Sequence, residues 1–392
     1  MYFQSSIAKR RSRYKSWQAF YLLSATALAS CGGSTGTSPA SPAIQQVTVV
    51  SSGAPATTAT PAPSPPPTAS VFGATTSDCS ARLGVNLSGA EFGDIGALYG
   101  WGYIYPDNGT LDYFKASGMT LIRLPVRWER LQPTPMAALN EDELNRLRDM
   151  LDRANTRGLK LIVDLHNYGR FGSDVLGSTA LPASTLADFW QKLATRLSTH
   201  PALVGYGLMN EPHDMPSANT WPNAAQLAVD AIRSVDGAKR IYVAGDGWSS
   251  AQSWEAVNGK LAIKDPAGNF RYEAHQYFDS NNSGTYQNGY DADGTYASIG
   301  SNRLQSFISF LKRTGAKGFI GEYGAPATDT RYLAVLDGFL KTATDAGIDT
   351  AYWSAGPWWG SYKLSIQPDA NGDKPQLAVL KRYMEFGKGC AL

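Results

Sequence analysis

The chain has 392 residues, 43% of them hydrophobic and only 17% charged, which suits one large or two medium globular units. Its formal charge of +2 comes from Lys9, Arg10, Arg11, Arg13 and Lys15; without these five the balance is −3, and nothing in it points to nucleic acid. Ten Trp and twenty Tyr, many in loop-like stretches, exceed what core packing alone requires and suit a stacking surface for a flat ligand.

Residues 1–30 join a basic start to the apolar, small-residue stretch AFYLLSATALAS, the layout of an export signal too short to remain as a membrane span. Leu28-Ala29-Ser30-Cys31 resembles a bacterial lipobox, which makes Cys31 the expected lipidation site; an ordinary signal peptide is the alternative. From Cys31 to Ser77 there is no charged residue, and PAPSPPPTAS reads as an extended, solvated linker. The folded domain is expected over 78–392. Cys79 and Cys390 lie at its two ends, and in an oxidising compartment a disulfide between them is the simple reading, with two free buried thiols as the alternative.

Eight strand-like segments then recur in order: 83–89, 121–126, 160–166, 203–211, 240–247, 270–278, 318–324 and 350–356. Stretches with helical periodicity lie between them. One carries Leu144, Leu147, Leu151 and Ala154 on one face and stops at Gly158; another opens on Ser184-Thr185 as a cap. Eight βα units in about 310 residues predict an α/β fold, a closed (β/α)8 TIM barrel. A doubly wound open sheet is the competing arrangement, but no GxGxxG or P-loop follows the first strand.

In such a barrel the ligand site lies at the C-terminal ends of the strands. Polar residues gather at those positions: Asn86, Arg123, His166, Asn210, Glu211, His275, Tyr277, Glu322 and Trp353. Glu211 and Glu322 close the fourth and seventh strands, expected to face one another across the pore. Two carboxylates flanking a pocket suit cleavage of a glycosidic bond, one protonating the leaving oxygen and the other attacking the anomeric carbon. Arg123 and Tyr277 are placed to hydrogen-bond Glu322, Asn210 to meet a sugar 2-hydroxyl, and Trp353 to offer a flat face to a pyranose. Asp164 and His166 share a strand face, but no third ligand is evident, so neither metal nor cofactor is expected. Glu273 reads as a deeper structural charge.

GVNLSG, IRLPVRWERLQP, VDLHNYGR, GLMNEPH, HQYFDSNNSGT, FIGEYGAP and AYWSAGPWWG together resemble glycoside hydrolase family 5, over residues 82 to about 360. The resemblance implies retaining hydrolysis with Glu211 as general acid/base and Glu322 as nucleophile. It also implies supporting roles for Arg123, His166, Asn210, His275, Tyr277 and Trp353. Within the family the motifs look most like the endo-β-1,4-glucanase branch, so the expected partner is a β-glucan chain. The protein is expected as an exported monomer, secreted or held to a bacterial outer membrane through the Cys31 lipid alone. Trp101, Trp248, Trp358 and Trp359 are candidate sugar platforms, with loop anchoring expected for at least one. β-Mannanase or xyloglucanase activity, and a non-catalytic carbohydrate-binding protein, are the other readings.

Overall fold

The computed structural model describes residues 82–384. The expected export segment, the 31–77 linker, Cys31, Cys79 and Cys390 lie outside them. Ten strands and nine helices are described: β1 (Leu83–Leu87), α1 (Asn108–Ala116), β2 (Leu121–Val126), α2 (Trp128–Leu131), α3 (Glu141–Asn155), β3 (Lys160–Leu165), β4 (Arg170–Phe171), β5 (Asp174–Val175), α4 (Ser184–Leu197), β6 (Leu203–Gly207), α5 (Thr220–Arg233), β7 (Arg240–Ala244), α6 (Trp254–Asn258), β8 (Phe270–His275), α7 (Ile299–Thr314), β9 (Gly318–Glu322), α8 (Arg331–Asp345), β10 (Asp349–Ala355) and α9 (Pro375–Met384). Eight strands close a parallel barrel in the ring order β1-β10-β9-β8-β7-β6-β3-β2, and β4 and β5 form a short hairpin after β3. The (β/α)8 expectation holds.

Strand alternation explains how one barrel serves two environments. On β2, Ile122, Leu124 and Val126 point outward into the large core beneath the helices, whereas Leu121 points into the barrel. Leu121 meets Ile162, Tyr242, Phe319 and Ala351 there, an apolar plug made by five strands. Two residues above Leu121 on the same face is Arg123, completely buried. The inner face therefore changes from apolar filler to charge within one step of the pleat.

The helices wrap this barrel as their periodicity predicts. On α3 the buried apolar set is Leu144, Leu147, Met150, Leu151 and Ala154, and Asn140 caps the start by accepting from Asp142 N and Glu143 N. Gly158 follows with φ +64, a left-handed stop. The cap expected at Ser184-Thr185 is not formed. The cap position is Ala183 with no side-chain bond, while Thr185 Oγ1 donates back to Pro182 O at 2.7 Å. Thr185 N donates to the same Pro182 carbonyl at 2.9 Å, so a turn at this proline starts the helix without a capping oxygen.

Candidate active site

Most strand ends fall short of the apolar runs that foreshadowed them, and the difference matters most at Glu211. β6 stops at Gly207, so Glu211 lies four residues beyond it, in a loop, with φ +42. Leu208 and Met209 are buried like strand residues, which is why the run reads as continuous strand. Asn210 N donates to Leu165 O at 2.7 Å and fixes this loop on the end of β3. Glu322, by contrast, is the last residue of β9. β6 and β9 stand three places apart around the ring; the strand directly opposite β9 is β3. The two glutamates meet because Glu211 reaches in from its loop.

Arg123 organises the floor. Its Nη1 donates to Asn86 Oδ1 and to Glu322 Oε1, both at 2.9 Å, and Nη2 donates to Asn210 Oδ1 at 2.8 Å. Nη2 also lies 2.9 Å from Asp164 Oδ1, and Nε lies 2.8 Å from Glu273 Oε1. Burial alone would lower the guanidinium's pKa, but Asp164, Glu273 and Glu322 outweigh it and raise it. One cation thus faces three buried carboxyls. Burial pushes Asp164 up to about 7, against the attraction of Arg123. Burial acts on Glu273 in the same sense, but Arg123 and His275 overcome it and hold that carboxyl low. Room for Glu273 comes from Gly321, where a Cβ would lie 1.9 Å from Glu273 Oε1.

Glu322 accepts on both oxygens, from Arg123 on Oε1 and from the Tyr277 phenol on Oε2 at 2.9 Å. Burial, then the charge of Glu322, raises the Tyr277 pKa well above its usual value, so the phenol remains a donor. His275 Nδ1 bonds Glu211 Oε1 at 2.8 Å and Nε2 approaches Glu273 Oε1 at 3.3 Å. Burial alone would lower the pKa of His275, but Glu322, Glu211 and Glu273 raise it to about 10. The ring is a cation donating from both nitrogens. His166 is its opposite. Burial lowers it to about 3, so it stays neutral, with Nδ1 on Asp164 Oδ2 at 2.8 Å and its ring stacked on Trp353 at 5.3 Å and 10°.

All nine strand-end residues named from the sequence therefore converge on one site, Asn86 included through its bond to Arg123. Asp164 and His166 do not form a metal pair, since Asp164 serves Arg123 and orients His166. Among the described residues, Glu211, His275 and Glu322 have ligand atoms within 4.8 Å of one another, a spacing a metal could use. The three groups also face one another directly, His275 Nδ1 lying 2.8 Å from Glu211 Oε1 and 3.6 Å from Glu322 Oε2. Sequence reasoning undervalued Glu273 and Asp164. Their signal was the repeated acid-x-His pattern of Asp164/His166 and Glu273/His275, which period two places on one inner face.

Of the four tryptophans, Trp101 and Trp248 are exposed, at 69% and 50%. Trp248 lies flat on His213, 3.5 Å between centroids and 8° between planes, so one face is backed by the protein. Trp359 packs against Phe92, Trp353 and Tyr362 and is a loop anchor.

Comparison with known families places this barrel: the cellulase family, glycosyl hydrolase family 5, matches residues 80–358. The chain belongs to glycosyl hydrolase family 5. Endo-beta-1,4-glucanase B of Aspergillus niger is 34% identical over 308 residues, 77% of this chain and 90% of that protein. Among solved structures of the family, endoglucanase Cel5A of Pseudomonas stutzeri in complex with cellobiose is 40% identical, with a TM-score of 0.74, covering 78% of this chain and 95% of that one. An endo-beta-1,4-glucanase of Xanthomonas axonopodis pv. citri is 35% identical, with a TM-score of 0.72, covering 78% and 99%. The family 5 match covers every strand of the barrel and both glutamates.

Proposed function

We propose that this protein is an endo-β-1,4-glucanase that cleaves internal bonds of β-glucan chains by double displacement with retention of configuration. The observation that carries the reading is the approach of Glu211 and Glu322, whose nearest oxygens fall within 4.8 Å. Retaining pairs stand about 5–5.5 Å apart, too close for a water between them. Glu322, accepting from Arg123 and Tyr277 on its two oxygens, is the nucleophile. It attacks the anomeric carbon as the C1–O bond breaks, and Glu211 gives its proton to the departing oxygen. Water then adds to C1 from the opposite side, losing a proton to Glu211 and freeing Glu322.

Two features favour a sugar in this site. Asn210, the residue before Glu211, is buried, and its Nδ2 is without a partner in the protein, a donor for a substrate hydroxyl. Trp353, stacked on His166, brings an aromatic ring to the site. The similarity to endo-β-1,4-glucanases favours a β-1,4-glucan over a mannan. Reducing-end release from carboxymethylcellulose, compared with galactomannan and xyloglucan, tests this. Faster cleavage of galactomannan would move the assignment to β-mannanase. No cleavage of any of them would leave a carbohydrate-binding protein.

We further propose that the chain is exported and lipidated at Cys31, on the strength of its basic start, apolar stretch and Leu28-Ala29-Ser30-Cys31. It then acts as a monomer at the end of the 31–77 linker. Wild-type processing and localisation of Cys31→Ser would rule the lipid out.

A further inference from the structure

Tyr277 is held at more points than its one contact with Glu322 requires. Its amide N donates to Asn282 Oδ1 at 2.8 Å, and its carbonyl accepts from Gln276 Nε2 and Arg303 Nη1, both at 2.7 Å. The segment that follows folds back over the ring. Asp279 drives that fold: its carboxylate, buried, accepts from Gly284 N at 3.1 Å, Thr285 N at 3.0 Å, Tyr286 N at 3.1 Å and Ser283 Oγ at 2.9 Å. Gly284, at φ +72, is thereby laid on the ring face, where a Cβ would come within 2.8 Å of Tyr277 Cδ1 and Cε1. Tyr286 Oη donates to Gly324 O at 2.5 Å, tying the far end of the loop to the chain just beyond Glu322.

We propose that Asp279 and Gly284 are positioning residues for catalysis: together they clamp the Tyr277 ring so that its phenol stays on Glu322. The inference rests on the glycosidase reading for its catalytic consequence, but the clamp itself is a geometric claim. A phenol that donates to Glu322 in the resting site must release it as the carboxylate bonds to C1, so its placement bears on the transition state more than on binding. Any side chain at 284 would push the ring aside. An amide at 279 would turn one acceptor oxygen into a donor facing backbone N–H groups, and the loop would lift.

Gly284→Ala, Asp279→Asn and Tyr277→Phe, with the two double variants containing Tyr277→Phe, test the clamp. On a soluble β-1,4-glucan, Gly284→Ala and Asp279→Asn are expected to lower kcat by about tenfold or more with KM within about twofold. The acid limb of kcat/KM should move as it does in Tyr277→Phe, because the same phenol has left the site. Each double variant should be no slower than Tyr277→Phe alone. Losses that multiply in the doubles, or an acid limb that stays in place, overturn the proposal. A crystal structure of Gly284→Ala reads the clamp without activity: a Tyr277 phenol still 2.9 Å from Glu322 sinks it, and a displaced phenol supports it. Wild-type protein inactive on every β-glycan would refute the glycosidase reading while that structure still decided the clamp. Should Gly284→Ala fail to fold, Asp279→Asn, which keeps the side-chain shape, carries both measurements.

Discussion

His275 Nδ1 lies 2.8 Å from Glu211 Oε1 and 3.6 Å from Glu322 Oε2, so one ring nitrogen adjoins both carboxyls of the proposed catalytic pair. With Nε2 turned to Glu273, the imidazolium sits among three acids in a buried site. Two carboxyls this close repel one another when both ionise; a cation between them lowers that cost. His275 and Arg123 thus supply two positive charges to a site containing Asp164, Glu211, Glu273 and Glu322.

This charge pattern sets a sign for stability against pH. His275 is raised from 6.5 to about 10, so its stabilisation is fully present below about pH 6.5 and is lost as pH rises through 10. Asp164, raised from 3.8 to about 7 by burial, acts in the same direction, its contribution disappearing as pH rises through 7. The melting temperature should therefore fall between pH 6.5 and 10. Scanning calorimetry of wild type and His275→Gln checks it: the variant should be less stable at pH 6 and show a flatter decline above pH 7. Equal slopes for the two proteins would place the effect elsewhere.

Arg123 separates charge from geometry. Arg123→Met leaves Asp164, Glu273 and Glu322 facing one another without their cation, and loss of such a buried partner costs about 3–5 kcal/mol. Arg123→Lys keeps the charge but cannot reach Asn86, Asn210, Asp164, Glu273 and Glu322 at once. It should cost less stability than Met while still lowering kcat by about a hundredfold, by analogy with loss of a preorganised donor. Urea unfolding together with steady-state kinetics measures both. A lysine variant with wild-type kcat would remove Arg123 from the catalytic account.

Trp248 is expected to act on binding rather than chemistry. Its ring is half exposed and stacked on His213, and its amide N donates to Pro212 O at 3.1 Å, one residue from Glu211. An aromatic face adds about 0.5–1.5 kcal/mol beyond area, so Trp248→Ala should raise KM for a long glucan about two- to tenfold at nearly unchanged kcat. Trp359→Ala should instead lower the melting temperature, because that ring fills space between Phe92, Trp353 and Tyr362. Equal KM changes in the two variants would contradict the division.

The barrel and its nine strand-end site residues were legible because each rests on a strong local signal. Strand runs such as Leu121–Val126 matched to the residue, and polar side chains at strand ends stood out against Val, Ile and Leu. What was not legible depends on turning the chain. Leu208 and Met209 continue an apolar run while the backbone has already left the strand, so the loop position of Glu211 and its left-handed φ could not be read. Gly321 gives no hint in sequence that its missing side chain admits Glu273, a residue 48 positions away. Pairings of this kind, like Asp164 and Glu273 on Arg123, come from the ring closure, which brings β2, β3, β8 and β9 around one axis.

The two glutamates have separable chemical signatures. In Glu322→Ala no glycosyl-enzyme bond can form, and hydrolysis of a β-1,4-glucan should fall by several orders of magnitude. Azide added with a β-cellobioside bearing a good leaving group should enter the vacated space and attack C1 opposite that group, giving the α-glycosyl azide. Glu211→Ala keeps the nucleophile. The same activated substrate, needing little protonation, should still form the ester with Glu322. Azide, needing no base, should then displace the ester and give the β-glycosyl azide with net retention. Proton NMR of the anomeric signals distinguishes the two products. Exchange of the products between the variants would exchange the roles of the residues. If neither substitution slowed hydrolysis of an unactivated glucan more than tenfold, the pairing of Glu211 with Glu322 would not be the catalytic centre.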